Sequence, residues 1–186
     1  MSFLSFIKVL GVIKIIDIFY RMYKTVCRWQ RTTSHLPERY GQGTWAVVTG
    51  GNSGIGFELC KELSHLGFNL VIVSRNQGRM DQASKEIKLL RPDTKIVTIE
   101  FDFSKCTSIE DYQSKILDYL VDFDVSLVFI NAGQSNCGDF LNHKIETHRE
   151  MFDTNVMPSL VLTKLFTHRF LEKREGKMSA IVFTGS

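Results

Sequence analysis

The chain has 186 residues, 44% hydrophobic and 23% charged, with a net charge of +3, so it is too apolar and too weakly charged to remain disordered. Its length suits one domain, or one domain with an appendage. Three Pro, and 13 Gly without a period, exclude collagen-like and linker-like chains. The charge is uneven: residues 1–44 carry Lys8, Lys14, Arg21, Lys24, Arg28, Arg31 and Arg39 against Asp17 and Glu38, a net of +5 that leaves −2 for the remainder. A basic tail on a near-neutral body suggests an anionic surface as partner, and no feature calls for nucleic acid. Cys27, Cys60, Cys106 and Cys137 form no CxxC pair and no zinc spacing with the five histidines; they read as reduced thiols, with no metal site, in a cytosol-facing protein.

Residues 3–29 are rich in Phe, Ile, Val and Leu, but charges interrupt every run before it reaches the length of a simple membrane span. No basic region precedes the apolar stretch and no small-residue cleavage site follows it, so a signal peptide fits poorly. Lys14, Asp17, Arg21, Lys24 and Arg28 step by three and four residues, which puts them on one narrow helix face. Val12, Ile15, Ile16, Phe19, Tyr23 and Val26 take the opposite side, and Tyr20, Tyr23 and Trp29 suit headgroup depth. The pattern predicts an amphipathic, membrane-associated helix over 1–29 that meets a membrane surface through residues 3–29. Docking of the apolar face on the protein's own body or on a partner, and a tilted span with Lys8 and Lys14 snorkelling, fit the same pattern. Residues 30–43, polar and punctuated by Pro37, Gly41 and Gly43, read as a connector.

From residue 45 short apolar runs alternate with helical ones. Trp45–Thr49, Leu70–Ser74, Lys95–Phe101, Val125–Ile130 and Ala180–Thr184 read as strands. Residues 55–66, 78–91 and 108–121 read as helices, the last with Ile109, Tyr112, Ile116 and Leu120 on one face. A long helix is predicted from 144 to 172, bent at Pro158, and Arg169–Lys177 reads as its solvated end. This alternation predicts an α/β fold, a Rossmann-like, doubly wound parallel sheet of about five strands with helices on both faces.

Between the first strand and the first helix of this body stands Thr49-Gly50-Gly51-Asn52-Ser53-Gly54-Ile55-Gly56. Glycines let such a turn tighten and let the backbone approach a pyrophosphate, which then meets the free N–H groups and positive dipole end of the helix. No Gly-Lys-Ser/Thr follows, so this is not a P-loop. The second strand ends in Ser74-Arg75 with no acid, and Arg79 stands one turn on. An acid there would accept from a ribose 2′-hydroxyl, whereas Arg pairs with a 2′-phosphate, which favours NADP(H).

TGGNSGIG resembles the cofactor loop of the short-chain dehydrogenase/reductases, and further matches follow in order. Asp102 resembles that family's adenine-contacting Asp, and Asn131-Ala132-Gly133 its Asn-Asn-Ala-Gly motif, with Ile130 in place of the first Asn. Asn155 matches the Asn of the catalytic tetrad and Ser186 the catalytic Ser. The resemblance covers 44–186, and the wording YGQGTWAVVTGG and LVIVSRN is most similar to the membrane-associated 3-ketoacyl-CoA reductase and 17-beta-hydroxysteroid dehydrogenase branch. It implies an NADP(H)-binding domain with Thr49, Gly50, Asn52, Ser53, Gly54, Ile55, Gly56, Arg75, Asp102, Asn131, Ala132 and Gly133 at the cofactor and Ser186 and Asn155 at the chemistry. It further implies reduction of a lipid-like ketone or acyl-CoA at the endoplasmic reticulum membrane, with the domain facing the cytosol, in a family where homo-oligomers are common. Read without the resemblance, Asp102 caps a turn at 103–105, Asn131 fills a turn, and Asn155 is a surface residue.

The family's general acid and its helper form a Tyr-x-x-x-Lys downstream of the Ser. The single match in this sequence, Tyr20–Lys24, lies upstream of the glycine loop and reads as chance. The domain is therefore expected to be incomplete at its C-terminus and the 186 residues inactive by themselves; a non-catalytic, truncated nucleotide-binding relative is the alternative.

Overall fold

Five apolar runs become five strands of one sheet: β1 (Trp45–Thr49), β2 (Asn69–Ser74), β3 (Ile96–Glu100), β4 (Val125–Ile130) and β5 (Ala180–Phe183). All four pairings are parallel and the order is β3-β2-β1-β4-β5. The computed structural model describes residues 3–29, 35–105, 108–174 and 176–185. Their helices are α1 (Phe3–Trp29), α2 (Leu36–Tyr40), α3 (Gly54–His65), α4 (Gln77–Leu90), α5 (Ile109–Tyr112), α6 (Ile145–Asn155) and α7 (Met157–Lys173). The chain divides into two units, 1–35 and 36–186.

The sheet is covered on both faces, and so its central strands are apolar throughout rather than alternating. Val47 of β1 with Val71 and Val73 of β2 packs on one side with Tyr112, Ile116, Leu162 and Phe166. Their neighbours Ala46, Val48, Leu70 and Ile72 point the other way and meet Cys60, Leu63, Met80 and Ile87 of α3 and α4. Because β1 lies between β2 and β4, successive crossovers leave it in opposite directions. A crevice therefore opens at the carboxyl ends of the strands where the winding reverses.

Four local readings change. The long helix is two, α6 and α7, separated at Val156 (φ −107°, ψ −51°). Pro158 cannot donate to the carbonyl four residues back, so it sits in the first turn of a new helix. The segment 108–121 forms one α-helical turn and then a π-helical turn, Gln113–Leu117, in which the Asp118 amide reaches the Gln113 carbonyl at 2.9 Å. That extra residue per turn rotates the apolar face: Tyr112, Ile116 and Leu120 are buried while Ile109 is exposed. The connector contains α2, whose Leu36 and Tyr40 pack on the second core, so the second unit begins at Leu36.

Arg169 and Arg174 are not a solvated helix end; they are only 8% and 4% exposed. The Arg169 guanidinium donates to the carbonyls of Leu117, Leu120, Val121 and Phe123, closing the frayed end of the segment after α5. Arg174 pairs with Asp124 and donates to the carbonyls of Tyr40 (2.7 Å) and Met178 (3.2 Å).

Helix α1 is a unit of its own. Val12, Ile16, Phe19, Tyr23 and Val26 are exposed. Arg21 pairs with Asp17 at 3.0 Å, and Lys24 lies over the Tyr20 ring. Among the described residues no helix is long and apolar enough to cross a membrane.

Candidate functional site

A cleft of about 500 Å³ lies at the switch point, over the carboxyl ends of β1, β2, β3 and β4. Gly50, Asn52, Ser53 and Ile55 form its floor, Arg75, Asn76 and Arg79 one wall, Asp102 and its flanking Phe101 and Phe103 the next, and Asn131 to Gln134 with Thr154 the far side. Four segments that sequence reading kept separate thus meet around one volume.

The floor depends on missing Cβ atoms. Gly50 takes φ +66°, and a Cβ there would lie 3.0 Å from Ala132 Cα. A Cβ on Gly56 would lie 2.4 Å from the Gly50 carbonyl oxygen. The turn therefore folds onto itself and onto the end of β4, and only glycine permits both approaches. Ser53 caps α3 in extended conformation without a side-chain bond, and the first turn of α3 holds no acid. The amide end of α3 thus offers positive potential that nothing in its own sequence neutralises. Gly54 opens α3 at φ +55°, and the exposed Ile55 side chain sets an apolar edge beside it.

Thr49, buried at the end of β1, ties this floor to β4. Its hydroxyl accepts from the amides of Asn131 and Ala132, both at 2.9 Å. The Asn131 side-chain amide returns the link by donating to the Thr49 carbonyl at 3.2 Å. The glycine motif and the Asn-Ala-Gly motif are therefore one hydrogen-bonded object.

On the opposite wall the Asn76 carboxamide oxygen caps α4 by accepting from the Arg79 amide at 2.9 Å, and the exposed Arg75 and Arg79 both line the cleft. Asp102 does what the resemblance-free reading asks and also lines the cleft: its Oδ1 accepts from the Ser104 amide (3.1 Å) and hydroxyl (2.7 Å), and Lys105 stands 3.6 Å from Oδ2. Asn155, at the end of α6, is not among the cleft's lining residues. Its carbonyl oxygen accepts from the Gln134 amide at 2.8 Å and its amide donates to the Gln134 carbonyl at 2.9 Å, so it braces the loop after Gly133. Ser186 lies outside the described residues. Tyr20 and Lys24 belong to α1.

Sequence reading missed Gln134, Thr154 and Thr184 altogether. Gln134 and Thr184 act through partners 21 and 53 residues away, a distance at which no local pattern signals them. Asn76 carried a legible signal, an Asn directly before a helical run. Among the described residues no cluster of His, Cys, Asp and Glu could hold a metal ion.

Comparison with known proteins follows the same outline. The very-long-chain 3-oxoacyl-CoA reductase of Neurospora crassa is 32% identical over 141 residues, which are 74% of this chain and 42% of that protein. The putative steroid dehydrogenase 2 of Caenorhabditis elegans is 31% identical over 137 residues, 72% of this chain and 43% of that protein. The chain spans less than half the length of these curated relatives. Among solved structures, a short-chain dehydrogenase from Sphingobium yanoikuyae in complex with NADPH superposes with a TM-score of 0.67 at 22% identity, covering 77% of this chain and 54% of that one. The sequence pattern described as short chain dehydrogenase matches residues 44–186 from the strand before the glycine loop onward, and the chain belongs to that family.

Proposed function

We propose that residues 44–186 form the nucleotide-binding domain of an NADP(H)-dependent ketoreductase, acting on a 3-oxoacyl-CoA or a steroid or other lipid ketone. The observation that carries the reading is the cleft itself: a glycine floor that excludes Cβ atoms, a helix end with no acid in its first turn, and the exposed Arg75 and Arg79 at the adjoining strand end. A pyrophosphate fits the floor and the amide end of α3, Arg75 and Arg79 fit a 2′-phosphate, and Asp102 fits a polar edge of the base. When bound, the reduced nicotinamide supplies a hydride to a carbonyl carbon. Gln134, braced by Asn155, shapes the rim where the substrate would enter, and Ser186 would donate a hydrogen bond to the carbonyl oxygen. The names of the relatives in Neurospora crassa and Caenorhabditis elegans support the substrate class.

The second reading, a nucleotide-binding relative without chemistry, is favoured by one observation: Asn155, assigned to the chemistry, is engaged with both backbone groups of Gln134 and does not line the cleft. Both readings include contact with the endoplasmic reticulum membrane from its cytosolic side through residues 3–29, supported by the basic stripe and exposed apolar face of α1.

The test is a titration of the purified 186-residue chain with NADPH and NADH, followed by nucleotide fluorescence, with turnover on a 3-oxoacyl-CoA measured in parallel. Saturable NADPH binding, at least about tenfold tighter than NADH, without turnover is expected, since a missing general acid costs about 10²–10⁴-fold in rate. No saturable binding overturns the nucleotide reading, and normal turnover overturns the expected inactivity. Flotation with phosphatidylcholine vesicles containing about one-third phosphatidylserine tests the membrane contact. A chain that stays at the bottom of the gradient refutes it.

A further inference from the structure

Thr184 follows β5 and belongs to none of the motifs that define the cleft. Its backbone amide extends the sheet ladder to the Ile130 carbonyl at 3.1 Å. Its hydroxyl donates to Asn131 Oδ1 at 2.8 Å. The other end of that carboxamide is settled by the Thr49 carbonyl, which can only accept and so takes Nδ2 at 3.2 Å. Asn131 is therefore held from both sides, by β5 through its oxygen and by β1 through its nitrogen.

What lies against Nδ2 gives this arrangement its consequence. A Cβ on Gly56 would stand 2.5 Å from Nδ2, and one on Gly50 3.3 Å from it. The carboxamide is wedged directly against Gly56 and Gly50, the second of which lines the cleft floor. A hydrogen-bonded path thus runs from the end of β5, through Asn131, to the turn on which an anion would rest. It begins two residues before Ser186 in the sequence.

We infer that Thr184 is a positioning residue for the cleft: its hydroxyl keeps the Asn131 carboxamide seated beneath the glycine turn and so couples the end of β5 to occupancy of the nucleotide site. This rests on the nucleotide reading of the cleft. The coupling is reciprocal, so a ligand that steadies the turn also steadies Thr184. Without the hydroxyl, Oδ1 loses its partner, the carboxamide is held by the Thr49 carbonyl alone, and the support beneath the turn loosens.

The experiment uses the full chain with Thr184→Val, which keeps the shape and removes the hydroxyl, and Thr184→Ser, which keeps the hydroxyl. Each is titrated with NADPH, and Thr184→Val is also placed on an Asn131→Ala background. Loss of one neutral side-chain hydrogen bond predicts about fivefold weaker NADPH binding for Thr184→Val, near-normal binding for Thr184→Ser, and no further loss on the Asn131→Ala background. Hydrogen exchange on the nucleotide-free chain supplies the second readout. Thr184→Val speeds exchange at the Asn131 and Ala132 amides, leaves the β1 and β2 amides unchanged, and Thr184→Ser restores protection. Unchanged NADPH affinity in Thr184→Val, or an equal loss on both backgrounds, overturns the inference. A wild-type chain that fails to bind NADPH overturns the nucleotide reading alone. Exchange then decides the role of Thr184, and unaltered protection at Asn131 and Ala132 refutes it.

Discussion

At Gly56 helix propensity and packing give opposite expectations for the same substitution. The residue lies in the first turn of α3, and replacing a helical Gly by Ala ordinarily stabilises by about 0.5–1 kcal/mol. Here the added methyl would stand 2.4 Å from the Gly50 carbonyl oxygen, 2.9 Å from its carbon and 2.5 Å from Asn131 Nδ2. The first distance is roughly 1 Å short of ordinary C···O contact. Neither neighbour can swing aside: one is backbone, and the other is a carboxamide bonded at both ends. Overpacking of this kind costs about 1–3 kcal/mol, so Gly56→Ala is expected to destabilise by about 1–2 kcal/mol after the propensity gain, lowering the melting temperature by about 2–8 °C. Gly78 is the internal control. It too lies in the first turn of a helix, α4, but its nearest neighbour to an added Cβ is Asn76 Oδ1 at 3.6 Å, an ordinary contact. Gly78→Ala is expected to raise the melting temperature by about 1–4 °C. Thermal unfolding of the two variants and NADPH titration of both form the assay. Gly56→Ala is expected to bind at least about tenfold more weakly, because the displaced atoms are the floor itself, while Gly78→Ala binds as wild type. If Gly56→Ala melts as high as Gly78→Ala and binds NADPH normally, the close approach at the floor is not what requires glycine there.

Arg75→Ala is expected to weaken NADPH binding by about tenfold or more, the worth of a charge-assisted bond to phosphate, and to leave NADH unchanged; equal losses for both nucleotides in the same titration would show that Arg75 does not read the 2′-phosphate. Arg169→Met is expected to cost about 2 kcal/mol in urea unfolding, because four carbonyls each lose one of their two donors, and an unmoved midpoint would refute the anchoring role. Burial pushes the Cys60 thiol from 9.0 to about 12, so its folded form stays neutral where the unfolded thiol ionises. That stabilising contribution is intact below pH 9 and is lost between about pH 9 and 12. Unfolding free energies at pH 7 and pH 10 are expected to differ by about 1.4 kcal/mol less in Cys60→Ala than in wild type, and no change in that difference would rule out the buried thiol as its source. In the native chain a thiol reagent is expected to modify the exposed Cys137 and to spare Cys60 until unfolding, as read by mass spectrometry.

The strands were legible because a parallel sheet buried on both faces writes itself as unbroken apolar runs. Val47 and Val48 face opposite cores, so neither position tolerates a polar residue. The helices were legible only where one face stays in register. Ile109 carries the same spacing as Tyr112, Ile116 and Leu120, yet a single π-helical turn puts it in solvent. Arg169 and Arg174 look like any charged helix end. Their burial is decided by carbonyls some fifty residues earlier and, for Arg174, by Tyr40 near the start of the body. Long-range polar partners of this kind leave no periodic trace.

The site shows the same division. The glycine loop announces itself because a missing Cβ is a local fact, but what the glycines make room for is not local. Asn131 stands 75 positions after Gly56, and only the fold reveals that its carboxamide occupies the space a side chain at Gly56 would take. The departure from the family's Asn-Asn-Ala-Gly wording becomes intelligible on the same ground. Ile130 is buried in the core that contains Val161, Leu162 and Phe166, so this position is filled by apolar packing. Polar support beneath the loop then falls to Asn131, and an amide held only by Thr49 would keep one unsatisfied end at the strand terminus. The Thr184 hydroxyl closes that end. A substitution that weakens the match to the motif and a threonine outside every motif are thus parts of one arrangement. The conformation of the floor is set as much by β5 as by the glycines themselves.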